Sequence, residues 1–266
     1  MTPPPAVATV AVIGGTGFYA FLSDPEHVTV ETPYGAPSAA VAVGTVAGTP
    51  VAFLPRHGAG HEYAPHTIPY QANMWALRSL GVRQVLAPCA VGGLQPTTPP
   101  GALVVPDQLV DRTSARSQTY VDRGAAHAPF ADPYCPTLRA ALTAADDAIV
   151  DGGTMVVIEG PRFSTRAESR HYAAQGWDLV NMTGHPEAVL ARELGLCYAT
   201  LALVTDLDAG VSAEESVDQA AVFAMFAENI DRLKALLTRT IGTLPVPGTC
   251  GCADWHDGVE LPFQLP

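Results

Sequence analysis

Residues 178–210, DLVNMTGHPEAVLARELGLCYATLALVTDLDAG, constrain the fold of this chain more than any other stretch. They read as strand, helix, strand, with polar residues where each strand stops. Residues 178–182 form a short apolar run that ends in Thr183 and Gly184. Pro186 suits the first helical position, and Glu187 suits the positive end of the helix dipole. The helix runs through Leu190 and Leu194, and Gly195 is a good left-handed stop. Residues 197–204 are almost continuously apolar, as expected of a strand buried on both faces of a parallel sheet. That run breaks into Thr205-Asp206-Leu207-Asp208. Ligands of open α/β sheets sit at the carboxyl ends of strands, so one compact unit offers two such ends, Met182-Thr183 and Thr205-Asp206. Carboxylates at alternate strand positions point the same way. Such a pair accepts N–H groups, or lends a proton where one pKa is raised. On pattern alone, the same residues equally suit a solvated loop with a helix cap.

At 266 residues the chain is long enough for one large α/β domain with a full core, and short for two. Its formal charge is −12 and it has no Lys/Arg cluster. Nucleic acid and anionic membranes, which need a basic surface, are excluded as partners. The first residues lack the charged segment and apolar run of a signal peptide, and no uninterrupted apolar stretch is long enough to cross a bilayer. A soluble cytoplasmic protein is expected. Of five cysteines, Cys89, Cys135 and Cys197 lie apart in apolar surroundings and read as buried free thiols. Cys250-Gly-Cys252 lacks the second pair that a structural zinc site needs and reads as reduced surface thiols. A vicinal link or a place at a subunit edge is the sharper alternative. Residues 244–266 are Pro- and Gly-rich and aperiodic, which divides the chain into a domain at 1–243 and a surface tail.

In chain order, an apolar strand at 7–13 runs into Gly14-Gly15-Thr16-Gly17-Phe18. Glycines after a strand let backbone N–H groups approach a phosphate, and the Thr16 hydroxyl adds a donor. The spacing does not fit the dinucleotide fingerprint. Residues 38–46 and 51–54 read as a strand pair turning at Gly48-Thr49-Pro50. Arg56 then presents a fixed fork of donors suited to phosphate, with His57 beside it to add another. The His57/His61 spacing suits metal ligands only on a helix, and Gly58 and Gly60 oppose one, so no metal is expected. Residues 69–79 read as a helix stopped by Gly81. A buried strand at 82–88 ends in Cys89-Ala90-Val91-Gly92-Gly93. After a strand and loop at 102–113 comes a long polar loop, 113–136, of the kind that is usually functional. An amphipathic helix is expected at 136–150, a strand at 154–158, and the longest helical segment at 213–241. Phe163, just past a strand end, is placed either to stack on a flat base or to serve the core.

NMTGHPE with TDLDAG, and R-H-G-x-G-H at 56–61 followed by P-H-x-I-P-Y-x-A-N-x-W-A-L, resemble the 5′-methylthioadenosine phosphorylases within the trimeric purine nucleoside phosphorylase family. Six motifs occur in the family order across residues 10–241. The resemblance implies a single α/β domain with a mixed, largely parallel and partly barrel-like sheet flanked by helices. It implies phosphorolysis of 5′-methylthioadenosine to adenine and 5-methylthioribose 1-phosphate, with inorganic phosphate as co-substrate and no metal or organic cofactor. Thr16, Arg56, His57, Cys89, Ala90 and Thr183 correspond to the phosphate ligands. Relatives carry Thr, Ser or Asn at Cys89, and a thiol donates poorly; either the Ala90 backbone does that work or Cys89 tunes the site.

Met182 is implied to pack on the ribose, with Phe163, Ser164 and Thr205 around the nucleoside. Val217 corresponds to an apolar wall of the 5′-pocket, and His127 is implied to reach it from the neighbouring subunit of a homotrimer or dimer of trimers. A protonated Asp206 donates to the imidazole-ring nitrogen of the base, and an ionised Asp208 accepts from the exocyclic amine. Members that take 6-oxopurines carry Glu at Ser164 and Asn at Asp206, so this pattern says adenine. His185, Ala220 and Ala221 depart from the pattern near the 5′-group. The alternatives are a phosphorylase for another 5′-modified adenosine (5′-deoxy or 5′-halo), a phosphorylase for 6-oxopurines, a hydrolase, or a nucleoside-binding protein without catalysis.

Overall fold

The computed structural model describes residues 6–209 and 217–266. Gly210, and the first four residues of the helix expected at 213–241, lie outside the described residues. The apolar run near the N-terminus forms β1 (Val10–Gly14), buried throughout. Then come β2 (Glu26–Val28), β3 (Val41–Val46) and β4 (Thr49–Pro55). β3 and β4 turn at Ala47-Gly48, both at positive φ, as the right-handed twist of a tight hairpin requires. α1 (Tyr70–Ser79) leads into β5 (Gln84–Gly93), β6 (Leu103–Val105) and β7 (Gln108–Arg112). α2 (Pro136–Thr143), β8 (Val150–Asp151), β9 (Thr154–Ile158) and α3 (Arg166–Ala174) follow. β10 (Leu179–Asn181), α4 (Gly184–Glu193), β11 (Cys197–Leu207) and α5 (Gln219–Thr243) complete the fold. Among the described residues, no helix is long and apolar enough to cross a membrane.

The strands form one mixed sheet in the order β2-β3-β4-β1-β5-β10-β9-β7, with β11 branching from β5 and carrying β6 and β8. β5 therefore pairs with three strands, in parallel with β1 and β11 and antiparallel with β10. That branching curls the sheet toward a barrel. Alternation along the strands divides the core between two faces. Ala11, Ile13, Val85 and Ala87 pack with α1 and α4 residues such as Met74 and Leu190. Val10, Val12, Leu86, Leu201 and Leu203 pack with Leu138 of α2 and with Phe226 and Leu233 of α5.

Four elements depart from expectation. α2 stops at Thr143 because the Asp146 carboxylate takes the Ala148 N–H at 3.0 Å, a local bond that competes with the helix; the chain beyond it becomes β8. β5 does not end at Pro88, since pairing with β11 carries it on to Gly93. α3 begins with a capping box in which the Thr165 hydroxyl and the Glu168 carboxylate each bond the other's backbone N–H. Finally, β10 and β11 do not pair with one another. Both flank β5, and β10 runs against it, so the carboxyl end of β10 returns to Ala90 instead of Gly93.

Candidate active site

The carboxyl ends of β1, β4, β9, β10 and β11 converge on Cys89–Gly92 of β5 around a cavity of about 410 Å³, of the size that holds a small ligand. Thr16, Arg56, His57, Cys89, Ala90 and Thr183 line one part of it; Phe163, Ser164, Met182, Thr205, Asp206 and Asp208 line the rest. Val217 and His127 do not line it. Val217 precedes the Asp218 cap of α5, and His127 is exposed on the loop after β7.

Arg56, in the cavity wall, is buried and paired with Glu187 behind it. Its Nε and Nη2 donate to the two carboxylate oxygens of Glu187 at 2.7 and 2.8 Å, and the Tyr198 hydroxyl donates to Glu187 at 2.7 Å. Nη2 also reaches the Ile13 carbonyl and Nη1 the Pro88 carbonyl, each at 3.3 Å. Burial alone pulls the guanidinium pKa down, but the charge and hydrogen bonds of Glu187 outweigh it, and the pKa ends raised. The cation is thus held rigidly at this end of the cavity. Gly15 is required there, since a Cβ on it would lie 2.8 Å from Arg56 Nη1.

His57 donates from Nδ1 to the Tyr63 carbonyl at 2.8 Å and stacks on His61, the ring centroids 4.4 Å apart. Burial, helped by Arg56 and His61, pushes its pKa down to about 4. The ring is therefore neutral, with Nδ1 committed to Tyr63 and Nε2 left as an acceptor, not the donor expected from the sequence. Burial also pushes the Cys89 thiol up to about 12, so it stays protonated. Asn181 takes the N–H groups of Thr183 and Gly184 on its Oδ1, each at 2.7 Å, and donates to the Ala90 carbonyl. Asn181 thus does the capping, and the Thr183 hydroxyl makes no cap bond to α4.

At the other end, a β-bulge at Thr205 breaks the register of β11, so that Val204 faces Val91 but Asp206 faces Gly92. A Cβ on Gly92 would lie 3.2 Å from Asp206 Oδ1 and 3.4 Å from the Asp208 Cβ, so the two aspartates flank this side-chain-free spot together. Burial, with a contribution from Asp208, raises the pKa of Asp206 to about 6, against the 2.8 Å hydrogen bond from Thr205 that opposes the shift. Burial raises Asp208 as well. Ser164 Oγ and Asp208 Oδ2 are buried together on this wall, where hydrogen bonding to Ser164 and Ser169 opposes the rise in the Asp208 pKa.

Several contributors escaped the sequence reading. Arg116, from the long loop, donates to the carbonyls of Met182, His185 and Glu159 at 2.6–2.8 Å and ties the ends of β9 and β10 to α4. An arginine in an aperiodic loop carries no pattern by which to find it. Helical spacing from Gln219 brings Val222 and Phe223 to the cavity wall, whereas Ala220 and Ala221 face solvent. His185 does not face the cavity either: its Nε2 meets Gln118 at 3.0 Å and Asp111 at 3.3 Å. Neither His185 nor the two alanines lines this cavity, which moves the candidate specificity wall to Val222, Phe223 and His61.

The sequence model of the phosphorylase superfamily matches residues 9–242. A protein of Mycolicibacterium smegmatis named S-methyl-5′-thioadenosine phosphorylase is 62% identical over 258 residues, covering 97% of this chain and 99% of that protein. A Streptomyces coelicolor protein named purine nucleoside phosphorylase is 54% identical, covering 97% and 98%. Among solved structures, methylthioadenosine phosphorylase from Schistosoma mansoni in complex with adenine superposes with a TM-score of 0.84 at 37% identity, covering 88% of this chain and 91% of that one.

Proposed function

The chain belongs to the phosphorylase superfamily, and on that premise we propose that it catalyses phosphorolysis of 5′-methylthioadenosine, giving adenine and 5-methylthioribose 1-phosphate. The observation that carries this reading is that one cavity joins two chemically distinct ends. One has a fixed buried cation, a neutral acceptor histidine and the hydroxyls of Thr16 and Thr183; the other has two carboxyls with raised pKa values. The first end suits inorganic phosphate, the co-substrate and nucleophile, whose positioning supplies much of the rate. At the second, Asp206 protonates or hydrogen-bonds the imidazole-ring nitrogen as the glycosidic bond breaks, when negative charge accumulates in the base. Asp208 accepts from the exocyclic amine. A 6-oxo group would set acceptor against acceptor there.

Met182, between the two ends, packs on the ribose, and Phe163 covers the base. Val222, Phe223 and His61 form an apolar wall that suits a methylthio group. The enzyme works as a homotrimer in which His127, exposed and outside the lining of its own cavity, completes a neighbour's. A phosphorylase for 6-oxopurines is the second reading, favoured by the name of the Streptomyces relative and opposed by the serine at 164 and the aspartate at 206. The test is adenine release from 5′-methylthioadenosine with and without phosphate, beside adenosine, 5′-deoxyadenosine and inosine. Strictly phosphate-dependent release, fastest on the methylthio substrate, is expected. Release without phosphate, or a preference for inosine, refutes the reading.

A further inference from the structure

The four cysteines that the active site does not use meet at one point. Cys135, Cys197, Cys250 and Cys252 place their sulfur atoms within 4.8 Å of one another, although they come from three separated segments of the chain. The sequence reading of Cys250-Gly-Cys252 as surface thiols without a second pair is therefore corrected: the fold supplies that pair from the start of α2 and the start of β11. Cys135, Cys197 and Cys252 are buried, and only Cys250 is half-buried.

We propose that these four cysteines form a tetrathiolate site for a single zinc ion. Zinc bonds thiolate sulfur at about 2.3 Å in a tetrahedron, which sets its ligands about 3.8 Å apart. The cluster is close to that size, with Cys197–Cys250 at 3.2 Å, Cys135–Cys250 at 3.6 Å and every pair inside 4.8 Å. Each sulfur neighbours all three others, which is the arrangement one ion needs; two disulfides need only two separate pairs. Four sulfurs and no oxygen or nitrogen select a thiophilic metal over magnesium or calcium.

The surroundings are built as a rigid holder. Cys135 is the N-cap of α2, where the helix dipole favours a thiolate. Its backbone N–H donates to the Tyr198 carbonyl at 2.8 Å, and the Cys197 N–H donates to the Arg83 carbonyl at 2.9 Å. Two of the four ligands are thus fixed by the sheet before any ion arrives. The other two arrive on the tail, which docks beyond them through Trp255 Nε1 to the Arg192 carbonyl and His256 to the Glu193 carbonyl, each at 2.9 Å. The ion would rivet the tail to the foot of β11, the strand whose far end carries Asp206 and Asp208.

The full-length protein, purified without chelator, is assayed for bound metal and for free thiols, and a separate portion alkylated at lysis is assayed for disulfides. One zinc per chain is expected, released in step with four thiols on mercurial titration, while Cys89 serves as the independent fifth thiol. The Cys250→Ser/Cys252→Ser variant should fall below about a tenth of an equivalent of zinc. Because that variant can fail to fold, a second measurement uses the wild-type chain. Reduced and stripped, it should take up one equivalent of cobalt(II) with the charge-transfer absorption of tetrahedral thiolate coordination, and one equivalent of zinc should bleach it. Two disulfides in the alkylated protein, iron in place of zinc, zinc retained by the folded double variant, or no cobalt–thiolate absorption would each overturn the proposal.

Discussion

Replacing Asp206 by asparagine keeps the size and polarity of the group while removing the one proton the proposed mechanism needs. In the free protein the Asp206 pKa is about 6, so at pH 7 roughly a tenth of molecules carry that proton. General-acid assistance is worth about 100- to 10,000-fold, or about 2.7–5.4 kcal/mol of transition-state stabilisation. Asp206→Asn should lower kcat/KM on 5′-methylthioadenosine by that factor at pH 6. The wild-type to variant ratio of kcat/KM should then be flat below about pH 6 and shrink roughly tenfold per pH unit above it, as the wild type loses its proton. Taking the ratio cancels the ionisation of phosphate itself, which is common to both proteins. The variant should also gain inosine turnover relative to adenine nucleosides, because the amide offers a donor to the base at every pH. The assay is phosphate-dependent base release across roughly pH 5 to 8, read by absorbance. A ratio independent of pH, an unchanged base preference, or a loss of less than about threefold refutes the role given to Asp206.

Glu187→Gln leaves the Arg56 cation buried without its counter-charge, which costs about 3–5 kcal/mol and should lower Tm by roughly 6–20 °C in a chain of this size. The Arg56→Met/Glu187→Leu pair should recover most of that stability without phosphate turnover; a Tm within about 2 °C of wild type in the single variant would show that the ion pair is not structural. For His57 the folded pKa, about 4, lies below the unfolded 6.5. Its contribution, at most about 3 kcal/mol, is therefore present above pH 6.5 and lost as pH falls through 4. His57→Gln should flatten the fall of Tm between about pH 6.5 and 4, and an unchanged slope counts against a neutral His57. His127→Ala should weaken binding of 5′-methylthioadenosine more than that of adenine, measured by calorimetry; equal effects on the two ligands would sink the shared-pocket idea.

The parts of the site legible in the sequence are those that announce themselves by abrupt changes along a strand. Apolar runs that stop at Ile13, Leu54, Met182 and Val204 located the polar residues beyond them, several of which line the cavity. The meeting of the two carboxylates at a strand end was legible, but the tautomer of His57 was not, since the Tyr63 carbonyl six residues on fixes it. The reversed direction of β10 was not readable, because a three-residue buried strand looks the same in either sense. Arg116 ties Met182, His185 and Glu159, 43 to 69 residues on, and Glu187 pairs with Arg56, 131 residues away; no local pattern encodes such distances. α3 was within reach: T-x-x-E at Thr165–Glu168 is a helix-start signature that stood in the sequence unread. The four-cysteine cluster required the tail to fold back onto two strand-and-helix starts, which spacing along the chain does not reveal.

The bulge at Thr205 makes the active site sensitive to chain length as well as to chemistry. Up to Val204, odd and even residues of β11 keep to opposite faces of the sheet. The extra residue reverses that parity, and only after the reversal do Asp206 and Asp208 come level with the bare backbone of Gly92. Loss of one residue at this point would leave every functional side chain in the gene and hand both carboxyls to the wrong face. One added residue would do the same. Point substitutions would explore what the proposed base site prefers, but a single-codon insertion or deletion here should abolish it, and the spacing between Val204 and Asp206 is as much a part of that proposed site as the aspartates it positions.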